Sequence, residues 1–144
     1  MPVTIDWYDE PQRILVQRFI DYWTLNEYFA TQPDVERFFR STTDRVDVLL
    51  DLLTAKHFLP PNVMLYVQQI VKQASFSYPN WGLAVFISTW RMNQMLYNIG
   101  SRISREYRQH VRLCPSYEEA LALIAADRQA AQTIHGNNAS NAQL

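Results

Sequence analysis

Residues 45–52, Arg-Val-Asp-Val-Leu-Leu-Asp-Leu, limit what this chain can fold into more than any other stretch. A mainly apolar run of this length, led in by a charge and closed by a loop, has the pattern of a buried parallel strand. The chain then reaches Leu59-Pro-Pro-Asn62, a corner suited to opening a helix. Parallel strands need crossover connections, so the unit predicts an α/β fold. It also sets the loop 53–62 beyond the carboxyl end of a strand, where open α/β sheets keep their working surface.

The rest of the chain supplies matching elements. Val3 to Tyr8 alternates apolar and polar, Asp9-Glu-Pro-Gln12 is a turn cluster, and Arg13 to Asp21 is a second β-prone run. Together they predict an opening hairpin. Thr24-Leu-Asn-Glu27 is a capping box for a helix carrying Leu25, Tyr28, Phe29, Val35, Phe38 and Phe39, with a kink or restart near Gln32 imposed by Pro33. Val63, Val67, Ile70, Val71 and Ala74 lie at helical spacing, and Tyr78-Pro-Asn-Trp-Gly82 stops that helix. Leu83 to Ile87 is a second continuously apolar strand. Met92, Met95, Leu96, Ile99 and Ile103 line a further helix, and Arg108 to Cys114 alternates as a strand. Ser116-Tyr-Glu-Glu119 is a second capping box, opening a last helix with Leu121, Ile124 and Ala125 inward. The predicted order is β-β-α-β-α-β-α-β-α in one domain, residues 1–130, with 131–144 a small, polar, flexible tail.

Composition excludes several function classes. The single Cys114 permits no internal disulfide and no multi-cysteine metal cage. Three glycines leave no material for a Gly-rich phosphate cradle, and there is no Gly-x-Ser-x-Gly elbow, His-x-x-x-His or Cys-x-x-Cys. No cofactor or metal is implied. A net charge of −1 and the absence of interleaved basic and aromatic residues argue against nucleic acid. No run approaches the roughly 20 apolar residues of a membrane span, and the start lacks a signal pattern, so a cytoplasmic protein is expected. The charge is uneven: residues 1–52 carry −5, 53–117 carry +6 and 118–144 carry −2.

These motifs, in this order, resemble the STAS-like (SpoIIAA-like) bacterial proteins over about residues 3–126. The matching features begin with the hairpin, the Tyr22-Trp-Thr-Leu-Asn-Glu27 helix entry, the Arg45–Leu52 strand and the Pro-Pro-Asn helix start. The turn at Pro79, Asn80 and Gly82 and the closing Ser116 to Ala120 complete them. The resemblance implies a mixed β-sheet with an N-terminal hairpin and a non-enzymatic role in regulation through a protein partner. In anti-sigma factor antagonists of this group, a serine opening the helix after the central strand is phosphorylated. Here the segment 51–62 contains no serine, Pro60 and Pro61 stand in that place, and Thr54 lies too early to substitute. The phospho-switch is not carried over.

Candidate binding residues follow from position and chemistry. Asp51, at a strand end, anchors either a ligand or a backbone amide. His57, beside Lys56, titrates near neutral pH in its unperturbed form, but no acid stands at a spacing that orients it. Asn62 caps a helix start or, with the free amides there, meets an anion. Arg91, Asn98, Arg102 and Arg105 fall within a wedge of about 60° on one helix, flanking its apolar face. Such a flank suits a carboxylate-rich or phosphorylated partner; a solvated face is the plainer alternative. Trp7, Tyr22, Trp23 and Tyr28 fill either a core or a self-association surface, so a homodimer stands beside an unidentified protein partner. A carrier of a small apolar or lipid-like ligand is the alternative function. An enzyme would need His57, Asp51 and an arginine gathered in one pocket.

Overall fold

The computed structural model describes residues 2–56, 78–89 and 109–142. They form an α/β unit around a five-stranded mixed sheet: β1 (Val3–Asp9), β2 (Ile14–Phe19), β3 (Val46–Asp51), β4 (Trp81–Ile87) and β5 (Val111–Cys114). The strands lie side by side in chain order, β1 antiparallel to β2 and every later pair parallel. Three helices are described: α1 (Leu25–Ala30), α2 (Gln32–Arg40) and α3 (Tyr117–Ala142).

Local chemistry explains the entry. The hairpin closes with Arg13 N–H on Glu10 O at 3.0 Å and Gln12 N–H on Asp9 Oδ1 at 3.1 Å. This turn drives Arg13 to φ 59°, a left-handed conformation that most residues avoid. The capping box at α1 is complete: Glu27 N–H reaches Thr24 Oγ1 at 3.2 Å, and Glu27 Oε1 accepts Thr24 N–H at 3.1 Å. Pro33 sits in the first turn of α2, so the helical stretch breaks between Ala30 and Gln32 as its ring requires. Gln17, buried on β2, donates Nε2–H to Thr31 Oγ1 at 2.8 Å and ties that break to the sheet.

Alternation along the strands divides the core. Leu15, Val46 and Val48 pack under Val35 and Phe39 of α2. Ile14, Val16, Leu49, Leu83, Val85, Ile87 and Cys114 face the other way, onto Ala120 and Ile124 of α3. Helices therefore cover both faces, and β3 and β4 are buried on both sides. Each such fully buried aliphatic side chain contributes about 1.5–3 kcal/mol.

Asp47 interrupts this apolar pattern on the α3 face, with no exposed surface at all. Its Oδ1 accepts Leu83 N–H at 2.7 Å and Arg45 Nη2–H at 2.9 Å; its Oδ2 accepts Arg128 Nε–H at 2.7 Å. Arg45 continues to Asp127 Oδ2 at 2.7 Å. Burial alone would lower the Arg45 pKa, but its bonds to Asp47 and Asp127 outweigh that and raise it. A Cβ on Gly82 would overlap Arg45 Nε and Asp47 Oδ1, so the second residue of β4 must be glycine. Asn80, in the turn just before β4, donates Nδ2–H to the carbonyls of Phe39, Thr42 and Asp44, closing the α2–β3 loop.

Three elements differ from expectation. β4 starts at Trp81, two residues earlier than the apolar run. β5 starts at Val111, because Gln109 and His110 are helical; His110 stacks on Trp81 at 4.7 Å and its Nδ1 meets Gly82 O at 2.9 Å. Finally, α3 runs through to Ala142, into the stretch expected to be tail. The helices expected over 63–74 and 91–105 lie outside the described residues.

Asp47→Ala is expected to lose about 3–5 kcal/mol in urea denaturation, because two arginines remain without their buried partner. Asp47→Asn keeps an acceptor for Leu83 N–H and should lose less. Gly82→Ala should also destabilise the fold, by pushing Arg45 off Asp47.

Candidate functional site

The carboxyl ends of β2, β3, β4 and β5 open onto one rim of the sheet, the place where α/β folds keep ligands and partners. Asp51 ends β3 there and is buried. Its Oδ1 accepts Leu53 N–H at 2.9 Å, a turn of aspartate onto the amide two residues on. Its Oδ2 accepts the Tyr117 hydroxyl in a short bond. Tyr117 opens α3, so this bond pins the start of that helix to the middle of the sheet. Asp51 is thus an anchor for a backbone amide and a phenol, and both of its oxygens are engaged.

Burial pushes the Tyr117 hydroxyl up to about 12, helped by its bond to Asp51 and the Asp51 charge, and opposed by Arg18. The Tyr117 ring stacks on Tyr8 of β1, with centroids 5.5 Å apart. Arg18 projects from β2 on the same face and is exposed. Four residues from β1, β2, β3 and α3 therefore meet here, and none of these contacts is local in sequence.

The loops after β2 and β3 are locked together. Asp21 N–H donates to Thr54 O at 3.1 Å, and Lys56 N–H to Asp21 O at 2.8 Å, a parallel bridge between Asp21 and Ala55. The lock holds Asp21 at φ 51°, left-handed like Arg13. Lys56 Nζ lies 5.9 Å above the Tyr22 ring and 3.7 Å from Asp21 Oδ1. Among the described residues the exposed large hydrophobics are Tyr8, Tyr22 and Leu53, the last two at 67% and 46%. Tyr22 and Leu53 stand on these locked loops. Thr54 is exposed beside them, its hydroxyl 3.5 Å from Phe19 O.

Of the residues singled out in the sequence, Asp51 and Thr54 come to this rim. His57, Asn62, Arg91, Asn98, Arg102 and Arg105 lie outside the described residues. The aromatic group divides: Trp23 is buried against Phe19, Tyr28 packs on the same cluster, Trp7 stacks edge-on with Phe38, and Tyr22 alone is largely exposed. Tyr117 and Arg18 carried no sequence signal, since the first looks like one residue of a capping box and the second like an outward strand position.

Two concavities lie toward the opposite end of the strands. An open groove of about 950 Å³ runs along α2 and the turn before β4, lined by Phe29, Pro33, Phe39, Arg40 and Tyr78. A polar recess of about 550 Å³ beside Arg45, His110 and Asp127 adjoins the buried ion network. Among the described residues no His, Cys, Asp and Glu group is arranged to hold a metal, and no helix is long and apolar enough to cross a membrane. The chain matches no protein-family model, no curated protein and no solved structure.

Tyr117 and Tyr28 both reach about 12 in the folded chain, against an ordinary 10. The unfolded chain then binds fewer protons above pH 10, so stability falls as pH rises from 10 through 12. Tyr117→Phe should make that decline shallower in denaturation curves taken across this range. A slope equal to that of the unaltered protein would show that burial and Asp51 do not hold Tyr117 neutral in the folded chain.

Proposed function

We propose that the chain is a non-enzymatic, cytoplasmic protein-interaction module of STAS-like (SpoIIAA-like) type that acts in regulation without a phosphorylatable serine. Its docking surface is the carboxyl-end rim of the sheet. The observation that carries this reading is the exposure of Tyr22 and Leu53 on two loops that are bonded to each other. Interface anchors are commonly aromatic, and a rigid presentation lowers the ordering cost of binding. An N-terminal hairpin leading into parallel strands agrees with the architecture the resemblance implies. The full engagement of Asp51 favours a binding rim over a catalytic one, because neither carboxylate oxygen is free to take a proton from a substrate.

Capture from native lysate tests the reading. Tyr22→Ser/Leu53→Ser should lose the captured partner while keeping the native circular dichroism spectrum. Arg102→Glu/Arg105→Glu, measured alongside, asks whether the arginine flank belongs to the same surface. An unchanged capture profile for the rim variant would remove the rim from the proposal.

A second reading, a binder of a small apolar ligand, draws on the 950 Å³ groove and its aromatic wall, where Phe39 and Tyr78 stack at 4.7 Å. Native mass spectrometry of freshly purified protein should then reveal a bound lipid-sized mass, lost in Tyr78→Ala. Protein that always flies at its bare mass would end this reading.

A further inference from the structure

β1 lies at the end of the sheet, and its hydrogen-bonding phase follows from contacts on both sides of β2. Ile20 N–H donates to Pro2 O at 2.7 Å, whereas Arg13 O accepts Asp47 N–H at 3.1 Å. Even-numbered residues of β2 therefore bond toward β1 and odd-numbered ones toward β3. Pro2 pairs with Ile20, Thr4 with Arg18 and Asp6 with Val16 in the register of the hairpin. In an antiparallel ladder the intervening residues bond the other way. Val3, Ile5 and Trp7 thus turn their N–H and C=O groups outward. Among the described residues no strand meets that edge. Such a row is a template for another strand.

One position in the row is already taken. Asp6 Oδ1 accepts Trp7 N–H at 2.8 Å, and Asp6 is exposed. We infer that Asp6 is an edge guard that keeps β1 from pairing antiparallel with a second copy of this chain. The register names that copy as the species excluded. A two-fold axis at Ile5 sets Ile5 opposite Ile5, Val3 opposite Trp7 and Thr4 opposite Asp6. Apolar side chains then meet on the face that α2 covers, and no two carboxylates oppose each other. The ladder is complete only if each Trp7 N–H bonds Val3 O of the other copy. With the amide held by Asp6, that carbonyl meets a carboxylate instead of a donor, which repels it. The guard is a property of the edge and does not rest on the carboxyl-end docking surface.

Analytical ultracentrifugation of the whole chain tests the inference. Asp6→Thr keeps strand propensity and removes the charge, and it should dimerise with a Kd at least tenfold below that of the unaltered protein. Adding Ile5→Pro should return it to monomer, because Ile5 N–H makes no bond within the sheet and proline is tolerated at an edge. Hydrogen exchange supplies an independent readout: Val3 and Ile5 amides should slow in the Asp6→Thr dimer and exchange fast in the unaltered chain. Asp6→Thr associating no more tightly than the unaltered protein would overturn the inference. So would a dimer that leaves the Val3 and Ile5 amides unprotected, or one that survives Ile5→Pro in a chain with native circular dichroism.

Discussion

The arrangement of the described residues depends on a carboxylate with no access to water. An ionised Asp47 inside the sheet carries a desolvation penalty of several kcal/mol, offset only when its oxygens are fully bonded by opposite charge and amides. Arg45, Arg128 and the Leu83 amide meet that demand together. Each has a consequence elsewhere. Arg45 must lead directly into β3, Gly82 must leave room beside it, and α3 must run where Arg128 reaches the strand. Arg128 Nη2 also approaches Arg13 O at 3.5 Å, so the hairpin joins the same network. Well-packed apolar residues in place of such a group are often as stable or more so. The network is therefore best understood as what decides the position of α3, with the apolar clusters supplying the stabilisation.

Asp51 repeats the device four residues later on the same face of β3. Four strand residues span about 13 Å and the helix from Tyr117 to Arg128 rises about 16 Å, so one helix can be fastened at both ends of one strand. The two ends of the sheet then have different characters. At the amino end Asp47 is turned inward and bonded by Arg45 and Arg128. At the carboxyl end Asp51 and Tyr117 are tied down, while Tyr22 and Leu53 are left outward on braced loops. The bond between the two loops holds that surface in place.

What could be read from the sequence follows the range of the interaction. Thr24 and Glu27 satisfy each other within one turn, and Pro33 breaks a helix by its own ring, so both features were legible. The attachment of Asp51 to a backbone amide was legible for the same reason, since Leu53 is two residues away. The Tyr117 hydroxyl comes from 66 residues further along, and nothing near Asp51 announces it. The alternation of Arg108 to Cys114 promised a longer β5, but Gln109 and His110 are helical, with the His110 ring against Trp81. The small residues after Ala130 looked like a tail, yet alanine is the best helix former and α3 runs on to Ala142.

By itself the sequence determined the class of fold, the hairpin, the break before α2 and the two continuously apolar strands, because periodicity, capping and proline act over a few residues. Only the tertiary structure decided that Arg128 reaches Asp47, that Tyr117 closes Asp51, that Trp23 is core while Tyr22 is surface, and that Asp6 lies on an edge no described strand pairs with. Those outcomes depend on which distant segments share a face and which backbone groups point outward. That information exists only once the strands have found their order.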